Sequence, residues 1–120
     1  MRRVFMTRHF SRWLGKTDLS IDMLCRAVEE MERGLIDARL GGGIVKKRVA
    51  LPGRGKSGSA RTLVATNLLD RWFFVFGFEK SDRGNINDIE VRALKALSAD
   101  LLNLGASELS AAIAARTMLE

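Results

Sequence analysis

The sequence predicts an α+β fold: a small, antiparallel-rich twisted sheet with two N-terminal helices packed on it and further helices at the C-terminus. Three observations carry this expectation. Apolar residues recur at helical spacing before Gly34 and again after Asn87. The period drops to two over residues 44–51, directly after Gly41, Gly42 and Gly43. Residues 71–78 form a near-continuous apolar and aromatic run. The chain has 120 residues, 47% of them hydrophobic, enough for one domain with one core and no disulfide staples. That domain divides into a strand and helices over 1–35, a three-stranded meander over 44–78 and C-terminal helices over 87–119.

The elements follow in order. Residues 4–6 read as a short strand, and then a helical turn or two brings Phe10 onto Trp13 and Leu14 at i+3 and i+4. Ser20 caps a second helix in which Ile21, Leu24, Cys25, Val28 and Met31 face inward, Arg26, Glu29, Glu30 and Arg33 face outward, and Gly34 is the stop. Residues 44–51 alternate as a strand, 52–59 form a glycine-rich basic loop, and 61–66 form a second strand. The third, 71–78, is apolar enough to be buried on both faces at the sheet centre. Asn87 and Glu90 have capping-box spacing, Leu94, Leu97, Leu101 and Leu104 make one stripe facing the sheet, and Gly105 ends that helix. The alanine-rich segment 107–119 is weakly amphipathic through Leu109, Ile113 and Met118. It fits a cover for the far side of the sheet, a homodimer contact or a partner's docking site equally well.

Several function classes are excluded early. The apolar run 72–78 is too short to span a bilayer. Met1, Arg2 and Arg3 are followed by Thr7, Arg8, His9 and Arg12 rather than by a secretory apolar region, so a cytoplasmic protein is expected. Cys25 is the only cysteine, which removes intrachain disulfides and any cysteine-based zinc cluster, and it reads as a buried small hydrophobe. Gly55, Lys56 and Ser57 resemble the tail of a phosphate-binding loop. The pattern fails because Ala50 stands where a glycine is needed and a strand, not a helix, follows.

Charge is the most informative feature. Residues 38–69 contain no acid and seven bases, Arg39, Lys46, Lys47, Arg48, Arg54, Lys56 and Arg61, so this window holds +7 of a chain whose net charge is +6. A positive field that local points to a polyanion, RNA or DNA first. Alternation puts Val45, Lys47, Val49 and Leu51 on one face of the strand, and Lys46 and Arg48 on the other with Ile44 and Ala50. A hairpin then brings Arg61 near Lys46 and Arg48, with Arg54 and Lys56 above them in the loop. For Lys47 and its neighbours, blunting of a sheet edge against aggregation is the alternative. His9, the only histidine, reads as a surface residue at a helix start that nothing in the sequence brings to the basic face.

The long run from Leu40, Gly41, Gly42 and Gly43 through Lys46, Lys47 and Arg48 to Lys56, Ser57 and Gly58 resembles a known family, as do Arg61 to Val64, Phe76 to Lys80, and Asn85 with Ile86. It resembles the phage-Gp49-like, HigB-type branch of the RelE/ParE toxin superfamily, and the resemblance covers nearly the whole chain. It implies a RelE-like fold and the toxin of a bacterial type II toxin–antitoxin pair. It also implies a partner: a small antitoxin, typically of helix-turn-helix type, in a hetero-oligomer. RelE-like members cut messenger RNA, commonly in the ribosomal decoding site, whereas ParE-like members act on DNA gyrase.

The implied chemistry is attack of a 2′-hydroxyl on its own phosphodiester, which requires no metal or other cofactor. By the resemblance, Lys46, Arg48 and Arg61 are the catalytic residues, with Lys46 taking the 2′-proton and both arginines clamping the phosphate. Lys47, Arg54, Lys56, Lys80 and Arg83 are the implied RNA contacts. The chain departs from RelE proper in having Ser81 and Asn87 where a further arginine and a tyrosine stand, and it has no tyrosine at all. A non-enzymatic toxin acting on a protein target, or a regulatory nucleic-acid-binding subunit, is the alternative.

Overall fold

Thr7 closes one element and opens the next. In the computed structural model, which describes residues 2–52 and 58–120, β1 (Arg3–Thr7) runs straight into α1 (Arg8–Leu14), and the Thr7 hydroxyl accepts from the Phe10 N–H at 3.1 Å. Ser20 does the same for α2 (Ile21–Glu32), accepting from the Met23 N–H at 3.3 Å, and Gly34 takes the left-handed φ of 91° that ends the helix. There follow β2 (Ala38–Gly41), β3 (Ile44–Ala50), β4 (Ser59–Thr66), β5 (Arg71–Glu79), α3 (Asp88–Leu102), α4 (Ala106–Ala114) and β6 (Met118–Leu119). The Asn87–Glu90 capping box is present, with bonds of 2.8 and 2.9 Å.

The sheet has six strands in the order β2-β3-β4-β5-β1-β6. Every neighbouring pair is antiparallel except β1 and β5, which run parallel from Arg3 opposite Arg71 to Met6 opposite Phe74. The α+β, antiparallel-rich sheet is therefore as expected, and the expected meander is its centre. Two strands extend it at the edges. β2 forms a hairpin with β3 through Gly41, Gly42 and Gly43, all at positive φ. β6 adds to β1. Each is too short, at four and two residues, to carry a period of its own.

The helices divide between the two faces. Phe10 and Leu14 of α1 and Leu24, Val28 and Met31 of α2 pack with Val45, Val49, Val64, Trp72 and Phe74. Leu94 and Leu101 of α3 and Leu109 of α4 pack on the opposite face with Ile44, Leu63, Ala65, Phe73, Val75 and Phe78. The alanine-rich segment is thus a cover for the far face followed by an edge strand. Gly105 is the N-cap of α4 rather than the end of α3, whose C-cap is Asn103. Cys25, expected to be buried, is half-buried and lines a cleft of about 200 Å³ with Ile21, Leu24 and Phe74.

One irregularity shapes everything downstream. Between β4 and β5, Leu63 pairs with Phe76 but Val64 pairs with Phe74, so Val75 is an extra residue on β5. Without it, Trp72, Phe74, Phe76 and Phe78 would share the α1 side. The bulge carries Phe76 and Phe78 over to the α3 side and leaves Gly77 facing α1. There a Cβ would lie 2.3 Å from the Trp13 ring, so the indole seats directly on the backbone of β5.

Candidate nucleic-acid interface

Strand direction gathers the cations at one end of the sheet. β1, β3 and β5 finish there and β4 and β6 begin there. Arg48 near the end of β3 stands directly opposite Arg61 near the start of β4, and Lys46 stands opposite Leu63, all on the α3 side. Arg61 is in turn opposite Phe78 of β5. Like charges placed directly across a ladder repel. Neither guanidinium nor the Lys46 ammonium is ion-paired with a described carboxylate. The Arg61 guanidinium donates to the Ser59 hydroxyl, which aims it along its own strand, and the Arg48 backbone N–H donates to Asp37 at 2.6 Å. Lys46 and Arg61 are half-buried and Arg48 is exposed, so the group opens to solvent.

The other expected contacts separate. Lys47 is turned to the opposite face, only 7% exposed, where its ammonium donates to the Leu35 carbonyl at 2.9 Å and meets Glu30 at 2.9 Å. It buttresses α2 and points away from Lys46. Arg54 and Lys56 lie outside the described residues. Lys80 follows β5 and is exposed, its backbone N–H bonded to the Ser59 carbonyl at 3.4 Å. Arg83 lies over the rings of Phe76 and Phe78, 5.9 and 5.6 Å from their centroids. It forms a two-point ion pair with Glu90 at 2.9 and 2.5 Å. That pair holds the Glu90 carboxyl below the ordinary glutamate range, with the Asn87 N–H as the second cause, and raises Arg83. Among the described residues no cluster of His, Cys, Asp or Glu is arranged to hold a metal ion.

A family model described as the RelE toxin of the RelE/RelB toxin–antitoxin system matches residues 2–120. The chain belongs to the RelE toxin family. It is the toxin of a toxin–antitoxin pair, and an antitoxin is its partner. No curated protein matches the chain. Among the described residues no helix is long and apolar enough to cross a membrane.

In this RelE-family toxin His9 is an exposed residue at the start of α1, as expected, and the fold also brings it to the cation-bearing end of the sheet, which the sequence does not show. Its imidazole stacks on Phe76, centroids 5.6 Å apart and planes within 10°. His9 therefore borders the same end of the sheet as Arg61 and Phe78. The cause is the parallel pairing of β1 with β5, which sets the residues just past β1 beside the end of β5. A single sequence carries no signal for that pairing.

Proposed function

We propose that this toxin is a metal-independent endoribonuclease that cuts messenger RNA on the ribosome and so stops translation. The observation that carries the reading is the Arg48–Arg61 pair across β3 and β4, whose guanidiniums form no ion pair with a described carboxylate, flanked by Lys46. Two guanidiniums facing each other with no carboxylate paired to either are stabilised by a bound phosphate. The exposed His9 ring, stacked on the half-buried Phe76 beside them, offers a surface for an unstacked base.

In this mechanism Arg48 and Arg61 hold the non-bridging oxygens of the scissile phosphate and stabilise the charge that grows on them. Lys46 accepts the 2′-proton in its neutral amine form and becomes the ammonium, the 2′-oxygen bonds to phosphorus, and the bond to the 5′-oxygen breaks. The products are a 2′,3′-cyclic phosphate and a 5′-hydroxyl, with Lys80 as the donor to the leaving oxygen. Lys80 directly follows β5 and no described carboxylate holds it, whereas Glu90 holds Arg83. The ribosome contributes by fixing the RNA in a reactive geometry.

The test is a map of RNA ends across the transcriptome shortly after inducing the toxin. Beside it runs a Lys46→Ala/Arg48→Ala/Arg61→Ala variant of matched folding and abundance. The expected result is new cuts in frame within translated regions, absent from the variant. Growth arrest without new cuts would overturn the nuclease reading and direct the search to a protein target.

A further inference from the structure

A second group of cations lies at the same end of the sheet, beyond the proposed nuclease site. A cleft of about 780 Å³ opens between α1 and the segment joining α4 to β6, lined by Arg8, Ser11, Arg12, Arg116, Met118 and Glu120 among others. Arg8 and Arg12 are four apart on α1 and so project from one side of it. Arg116 sits in left-handed backbone at φ 59°, a conformation that disfavours any side chain. All three arginines are exposed, and none is ion-paired with a described residue. The carboxylate in the lining, Glu120, is already taken up by Arg3 at 2.7 and 2.9 Å, which holds it ionised below the ordinary glutamate range. Among the described residues the cleft therefore presents three positive charges that no side-chain carboxylate pairs.

Topology joins this cleft to the first cation group. Thr7 is opposite Met118, so Arg116 lies beyond that pair in the direction in which β1 continues into Arg8 and His9. Crossing the strand ends from β3 to β6 meets Arg48, Arg61, the Phe76–His9 stack, and then Arg8, Arg12 and Arg116. The four strand spacings amount to about 19 Å, which is roughly five nucleotides of a stacked strand and fewer of an extended one.

We propose that the Arg8–Arg12–Arg116 cleft is a second phosphate-binding site, which holds the backbone of a single-stranded RNA several nucleotides away from the phosphate at Arg48 and Arg61. The inference rests on the reading of the Arg48–Arg61 end as RNA-facing. Its consequence is length dependence. A dinucleotide reaches only the first group, whereas a longer strand bridges both and its binding is reinforced by the second.

The experiment measures binding of a dinucleotide and of an eight-nucleotide RNA, both blocked at the cleavable 2′-position, by fluorescence anisotropy over a range of salt. The proteins are the wild type, an Arg8→Gln/Arg12→Gln/Arg116→Asn variant and an Arg48→Ala/Arg61→Ala variant, each checked for matched melting temperature. The cleft variant is expected to bind the longer RNA about tenfold more weakly, with a salt slope reduced by roughly two, and to bind the dinucleotide as the wild type does. An Arg8→Lys/Arg12→Lys variant is expected to retain most of the affinity. Unchanged binding of the longer RNA by the cleft variant would overturn the second site while leaving the first intact. Loss of dinucleotide binding only in the Arg48/Arg61 variant supports the proposed function independently. Unaltered binding of both RNAs by that variant would overturn the RNA-facing reading itself. If polyglutamate bound at the cleft while RNA binding ignored it, the cleft would belong to an acidic protein partner and the inference would fail.

Discussion

Lys46 and Lys47 are neighbours on β3, and the pleat sends them into different surroundings. Lys47 faces α2, is nearly buried, and has both a carbonyl and the Glu30 carboxylate to satisfy its ammonium. Lys46 faces the other way, beside Arg48 and across from the strand that carries Arg61, with no described carboxylate to neutralise the group. The same side-chain chemistry serves the fold on one face and remains available to a polyanion on the other. What separates the two roles is whether the partner is supplied by the chain.

The largest expected effect belongs to the open face. Arg48→Ala or Arg61→Ala should lower the cleavage rate by about 10²–10³-fold, the scale of losing one preorganised charge stabiliser, and leave the melting temperature near wild type. An unchanged rate at full folding would end the contrast. On the covered face, Gly77→Ala should cost about 1–3 kcal/mol or slightly more, since its Cβ would fall 2.3 Å from the Trp13 ring and β5 must shift or the indole must leave. Urea unfolding measures this, and a neutral result would mean that Trp13 repacks freely. Lys47→Met should cost about 1–3 kcal/mol by leaving the Leu35 carbonyl without a donor, with cleavage per folded molecule unchanged. A Lys47→Met protein that is stable but fails to cleave RNA would place Lys47 on the working side after all.

The smallest effect concerns Arg83, the cation at the open end that the chain does neutralise. Glu90 is held below its ordinary value of about 4.3 by Arg83 first, so its contribution to stability is fully present above that pH and is lost as pH falls through the lower folded-state value. The melting temperatures of wild type and Glu90→Gln should therefore differ at pH 6 and converge as pH drops below 4. A constant difference across that window would show that the pair does not contribute through charge.

Much of the candidate site was legible because it rests on alternation. Lys46 and Arg48 share a face by the period of two, and a hairpin between adjacent strands is the simplest connection, so Arg61 arrives opposite Arg48. The caps at Ser20 and Asn87 were legible because they are local hydrogen bonds encoded within four residues. His9 and the arginines of the cleft were not. Their proximity to the first cations depends on β1 inserting between β5 and β6, a pairing across some seventy residues of chain that leaves no local mark.

By itself the sequence determined which segments become helix and strand, where most of them stop, and that the positive charge is concentrated in one window. These follow from backbone propensity, side-chain period and composition, which act over a few residues. Only the tertiary structure decided that β1 runs parallel to β5. Only it placed the extra residue Val75, which turns Phe76 and Phe78 to the cation side and Gly77 to Trp13, and only it brought Arg8, Arg12 and Arg116 around one cleft. A bulge and a parallel pairing are choices made jointly by two distant strands and the helices that cover them, so their energies are not written in either strand alone.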